Sequence, residues 1–232
     1  MKSSDFLSSS LTRQEKLYGA GWLAFETLLF SMLLQALNNL LPTPLPQAEV
    51  NFVFFCVNFT VVAIIFRRYL WSQVKLIPDL MGKIFFTVIT GFMAYWIANF
   101  LLMQVLLVLN PEHFSINDVT IQSLVSEDYF LMFLGSVILV PITEECLFRG
   151  LVFRTLHDRN SIIAWVVSTA LFSAVHIINY IGAYPFDTIL LCFVQYIPAG
   201  VCLAGAYRLS GSLLSPILIH ALVNLVGMLA LR

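Results

Sequence analysis

The sequence predicts an all-α, polytopic bundle of about seven transmembrane helices with a cytoplasmic N-terminus, and three observations carry that prediction. Apolar residues make up 59% of the 232 positions and charged residues 11%, with a mean hydropathy of +0.89; a soluble domain carries roughly 25% charged residues. Apolar runs long enough to cross a hydrocarbon core of about 30 Å recur along the chain. Lys and Arg fall in alternate loops, the asymmetry that sets orientation. The net charge of −1 leaves no basic surface for nucleic acid.

Taken in order, residues 1–17 form a Ser-rich segment with Lys2, Arg13 and Lys16, expected to stay in the cytoplasm. The run 18–41 is longer than the apolar core of a signal peptide and is read as a retained span. Pro42, Pro44 and Pro46 end it, and 50–66 gives a second span. Residues 70–81 mix Trp71, Lys75 and Asp79 with apolar residues, as a helix lying along the interface would. A third span covers 84–109 and stops before Pro111. Four more follow at 129–153, 161–181, 186–207 and 212–231. The organisation is therefore a tail (1–17), three N-terminal spans (18–128) and four C-terminal spans (129–232), with no soluble domain or repeat.

Arg13 and Lys16, then Arg67, Arg68, Lys75 and Lys83, then Arg154 and Arg159, then Arg208 share one side. The other side carries Glu49, Glu112, Asp118, Glu127, Asp128 and Asp187, and only Arg232 departs from the pattern. Cys56, Cys146, Cys192 and Cys202 sit singly in apolar runs and read as small hydrophobes. His113 and His157 fall at helix ends, where solvation accounts for them.

Ionisable groups at membrane depth cost about 2.5–3.5 kcal/mol each on insertion scales, so each requires a partner or a task. Glu144, Glu145 and Arg149 lie in the fourth span, His176 in the fifth, and His220 and Asn224 in the seventh. Lacking partners in lipid, they are expected to face one another. Glu145 and Arg149 are four apart and share a face, so the arginine balances that carboxylate. Glu144 is turned about 100° away and is left free. His220 and Asn224 also share a face, and Phe172 lies one turn from His176. Pro141 and Pro216 bend their helices or open room for water. Glu26 in the first span has no evident partner.

At 1.5 Å per residue Glu144 is about 22 Å from the outer end of its span and His220 about 12 Å from the cytoplasmic end of its own. Both sit in the cytoplasmic half. A carboxylate beside imidazoles in a dry site can act as a general base toward water. Glu with two His is equally a zinc-ligand set, here Glu144, His176 and His220, with one position left for water. Asn224, alone or with His220, offers hydrogen bonds to an oxyanion. Together these roles describe peptide-bond hydrolysis. The chain has no HExxH helix, no Gly-x-Ser-x-Gly elbow and no pair of intramembrane aspartates, which sets aside three other hydrolase designs.

Glu144-Glu145-x-x-x-Arg149, Phe172-x-x-x-His176 and His220-x-x-x-Asn224, in that order on three helices, resemble the motifs of the CPBP family. That family groups CAAX prenyl endopeptidases of the Rce type with bacteriocin-processing and bacteriocin-immunity membrane proteins. The likeness covers roughly 132–226, including Phe148-Arg149-Gly150 and Gly211-Ser212-Leu213 with Pro216. The resemblance implies that Glu144 activates water with help from His176, that Glu145 and Arg149 support the site, and that His220 and Asn224 stabilise the oxyanion. It implies a peptide or membrane-protein substrate cut near the cytoplasmic face, in a multi-pass protein of a bacterial cell membrane. It leaves open a metalloprotease using zinc or a metal-free glutamate route. A non-catalytic scaffold, such as an immunity or sensor-kinase regulatory protein, is the alternative on the same motifs. A proton-relaying transporter would show internal repeats, and the chain has none.

Overall fold

The computed structural model describes residues 11–232. The described part is helical, with no strand among those residues. Five helices are long and apolar enough to cross a membrane: α1 (Arg13–Asn39), α2 (Gln47–Ile65), α3 (Arg67–Leu109), α5 (Tyr129–His157) and α7 (Phe186–Ser210). Between α3 and α5 lies the short α4 (Ile116–Glu127). Two apolar helices, α6 (Ser161–Val175) and α8 (Leu214–Ala230), are shorter than a full span. The seven expected apolar segments are thus all helical, but two of them fall below spanning length.

The N-terminal segment expected at 1–17 lies partly outside the described residues, and Thr12 caps α1. Its Oγ1 takes the N–H of Glu15 while Glu15 Oε2 takes the N–H of Thr12, closing a reciprocal cap at the start of α1. Helix α3 merges the expected interfacial segment and the third span into one 43-residue helix. A straight helix would set residues 69 and 91 about 33 Å apart. Both instead lie against the same part of α7: Tyr69 Oη is 2.9 Å from Tyr207 Oη, and a Cβ at Gly91 would lie 3.8 Å from Cβ of Ala206. The helix is bent between them, and Pro78, which removes one backbone donor, sits in that interval.

Helix α6 ends ten residues before α7 begins, with His176 as its C-terminal cap and a single 3₁₀ turn at Ile178–Tyr180 following. The expected span 161–181 therefore stops short. Irregular backbone at membrane depth is tolerated where protein or a water-filled space lies beside it. Here α4 supplies the protein: Tyr180 Oη donates to Thr120 Oγ1 at 3.0 Å, and Cys192 Sγ contacts the Phe114 carbonyl oxygen at 3.5 Å. His113 is drawn into the same junction, 3.3 Å from Gln195 Oε1, and is not the solvated residue its position suggested. His157 likewise packs its ring on Phe153, with centroids 5.4 Å apart.

A large buried cluster lies at the Arg-rich ends of the helices. Phe66, Tyr69, Cys146, Leu147, Phe153, Tyr207 and Leu213 are buried there in one cluster. Gln73 Oε1 in the first turns of α3 takes the N–H of Leu213 at 2.9 Å, which ties α3 to the start of α8.

Candidate active site

Three wide π-type turns shape the helices that carry the polar residues, at Glu26–Phe30, Gly135–Leu139 and Cys146–Phe153. The second has a local cause and a consequence. Val140 N–H donates to Gly135 O, and the next residue, Pro141, has no N–H, so the Ser136 carbonyl is left without its helical donor. Asn224 Nδ2 donates to that oxygen at 2.7 Å. The proline thereby holds Asn224 in place across the α5–α8 contact.

Glu145 and Arg149 are both fully buried and form the ion pair expected from their spacing, Nη1 to Oε1 at 2.9 Å. Arg149 Nη2 also donates to the Gly200 carbonyl at 3.1 Å, and its guanidinium lies 4.4 Å from the centre of the Phe172 ring. The closeness of α6 and α7 here requires glycine, because a Cβ at Gly200 would come within 2.7 Å of Thr169 Cγ2. The arginine is therefore enclosed by three elements and does not face the open space.

His220 Nδ1 stands 2.9 Å from the same Oε1 of Glu145. His176 Nδ1 stands 2.8 Å from the carbonyl oxygen of Phe172. A carbonyl oxygen only accepts, so Nδ1 of His176 carries the hydrogen and Nε2 presents a lone pair in the neutral ring. Glu145, already accepting from Arg149, fixes the same tautomer in His220. Tyr196 stacks on His176, with centroids 4.1 Å apart and planes at 24°, and the Phe172 ring lies tilted against the imidazole at 4.8 Å.

Glu144, His176, His220 and Asn224 line one cavity of about 600 Å³, whereas Glu145 and Arg149 lie behind its wall. Glu144 is half-buried, and its Oε2 has no hydrogen-bond partner. As the four-residue spacing predicts, Glu145 is paired with the arginine and Glu144 is left free. Among the described residues no three His, Cys, Asp or Glu side chains stand close enough to hold a metal ion. Glu144, His176 and His220 thus share the cavity without forming a preassembled metal site.

Further residues line the cavity beyond those expected at the site, among them Glu26, whose partner is not evident from the sequence. It is held at Oε2 by Asn58 Nδ2 at 2.9 Å, while Trp22 Nε1 donates to Asn58 Oδ1 at 2.6 Å. Glu26 opens the π-type turn of α1, and its partner on α2 lies 32 positions away, beyond the reach of helical periodicity. Tyr196 and Ser136 also line the space. The break in α7 after Gln195, just before Pro198, was the available signal for Tyr196.

Residues 126–226 match the family model described as Type II CAAX prenyl endopeptidase Rce1-like, so this part of the chain is similar to that family, consistent with the resemblance to the CPBP motifs. The match contains all six polar residues singled out above. No curated protein and no solved structure matches the chain.

Proposed function

We propose that the protein is an intramembrane endopeptidase in which Glu144 activates water to hydrolyse a peptide bond of a membrane-associated peptide or protein. The observation that carries this reading is the unpartnered Glu144 carboxyl oxygen in a cavity shared with two imidazoles of fixed orientation. Glu144 takes a proton from water as the oxygen attacks the carbonyl carbon. Negative charge develops on the carbonyl oxygen, and the second N–H of the Asn224 amide, the first being committed to Ser136, faces it. The proton then passes to the amide nitrogen as the C–N bond breaks. The Nε2 atoms of His176 and His220 orient the water. With Nδ1 donating to Glu145, a neutral His220 offers Nε2 as an acceptor, which supports Asn224 as the oxyanion donor in place of the shared His220–Asn224 role implied by resemblance.

Purified protein in detergent, incubated with a quenched peptide library, tests this against Glu144→Gln. Cleavage that vanishes in the variant supports the reading. Equal cleavage in both forms, or none by a folded wild type, overturns it, the second outcome favouring a scaffold role. Metal content of the same samples separates a zinc route from a metal-free one.

A further inference from the structure

A second cavity lies outside the site described above. It is a groove of about 520 Å³ between α1, α5 and α6, within the range of roughly 300–1,000 Å³ usual for small-molecule sites. Its lining is apolar except for Lys16, Thr27 and Thr155. Ala20 and Ala24, one turn apart on α1, and Ala174 on α6 leave the space between the helices unfilled. Ala20, Ala24, Leu28 and Leu171 are exposed, so the groove opens outward, toward lipid. At its deep end Thr27, Phe148 and Val175 line both the groove and the catalytic cavity. Phe148 is fully buried there and packs edge-on against Phe172 at 5.5 Å, so the two spaces meet at a wall.

Length and charge point to what fills this groove. On α1 the lining runs from Lys16 to Leu28, about 18 Å at 1.5 Å per residue, a little more than half of a hydrocarbon core of about 30 Å. One acyl chain of one leaflet has that reach. Lys16 stands at the outer end, near the start of α1, and the deep end holds no charged residue. Lys16 is half-buried, and among the described residues its ammonium has no ion pair or hydrogen bond. We infer that the groove binds an anionic phospholipid, with one acyl chain along Ala20 and Ala24 and the phosphate paired with Lys16. Burial of the chain supplies affinity without regard to the headgroup. The ammonium, a compact point charge beside apolar surface, supplies the preference for a head of net negative charge. Either membrane face satisfies this pairing, because it requires only that the start of α1 meet a layer of headgroups. Occupancy requires no peptide hydrolysis, and the wall at Phe148 keeps the lipid apart from the reacting groups.

The test is native mass spectrometry of the full chain in detergent, titrated with dioleoyl phosphatidylglycerol or dioleoyl phosphatidylcholine. Wild type is expected to bind phosphatidylglycerol at least fivefold more tightly. Lys16→Gln should bring the two lipids within twofold of each other. Arg67→Gln, which removes an exposed charge outside the groove at the start of α3, should leave the preference intact. Ala20→Phe and Ala24→Phe fill the groove from exposed positions, and each should weaken phosphatidylglycerol binding at least tenfold with thermal unfolding unchanged. Glycerol phosphate, which has the head but no chain, should not compete. Equal binding of both lipids by wild type, a preference that survives Lys16→Gln, or tight binding by folded Ala20→Phe and Ala24→Phe proteins overturns the inference. Displacement of the lipid by a prenylated peptide also overturns it, by assigning the groove to substrate. Lys16→Gln adds no bulk, so it decides the headgroup pairing should neither phenylalanine variant fold. Binding is read without turnover, so a protein that cleaves no peptide loses the protease reading and keeps this one.

Discussion

One oxygen of Glu145 serves two partners: its Oε1 lies 2.9 Å from Nη1 of Arg149 and 2.9 Å from Nδ1 of His220. The carboxylate is thus the link between a buried cation and an imidazole that faces the cavity. Its neighbour Glu144 has no such duties. The two adjacent glutamates should therefore fail in different ways.

Glu144→Gln is expected to lower the rate of peptide cleavage by about 10²–10⁴-fold, the usual contribution of a general base. Its thermal unfolding in detergent should stay within a degree or two of wild type, since no hydrogen bond is lost at Oε2. Glu145→Gln should instead lower stability by about 3–5 kcal/mol, because it leaves Arg149 as an uncompensated buried charge. A Glu145→Gln protein as stable as wild type would contradict the enclosed ion pair.

Arg149→Lys should not rescue. The guanidinium reaches Glu145 with one nitrogen and the Gly200 carbonyl with the other, and an ammonium cannot span both in that planar geometry. A loss of about 2–3 kcal/mol in chemical or thermal unfolding is expected, close to the cost of an unmet bond to a charged group.

Glu26 separates a carboxyl that links helices from one that carries charge. Glu26→Gln keeps an oxygen for Asn58 and should change stability by less than about 0.5 kcal/mol, whereas Glu26→Ala should cost about 1–3 kcal/mol by stranding the Asn58 amide. Equal effects in the two variants, read by thermal unfolding, would remove the linking role.

Tyr196 acts on His176 through its ring face. Tyr196→Phe keeps the stack and should retain cleavage within about twofold, while Tyr196→Leu should lose roughly tenfold as the imidazole is released, in line with about 0.5–1.5 kcal/mol for a ring pair. A Phe variant as impaired as the Leu variant would assign the effect to the hydroxyl.

The helical class and the polar constellation were legible because lipid makes them so. Backbone must be helical at depth, and Glu144, Glu145, Arg149, His176, His220 and Asn224 stand out against an apolar background. The spacing of four correctly paired Glu145 with Arg149. It carried no information on partners from other helices, so the Glu145–His220 and Glu26–Asn58 contacts were invisible. Hydropathy also misjudged two ends. Ile177, Ile178 and Ile181 extend the apolar run of the fifth segment, but α6 stops at Val175 because the residues after it pack beside α4. Residues 70–81 and 84–109 looked like two elements because Lys75, Asp79 and Lys83 interrupt the hydropathy, whereas a helix bent near Pro78 accommodates those charges without breaking.

The tautomers fixed by Phe172 and Glu145 carry a consequence for the proton inventory of each turnover. In the proposed mechanism a neutral ring whose Nδ1 donates to a fixed acceptor presents Nε2 as a lone pair, and the enclosed Arg149 cannot reach the reacting atoms. The proton that Glu144 would take from water is then the one it would return to the departing amine, so the proposed hydrolysis needs no separate acid from the chain.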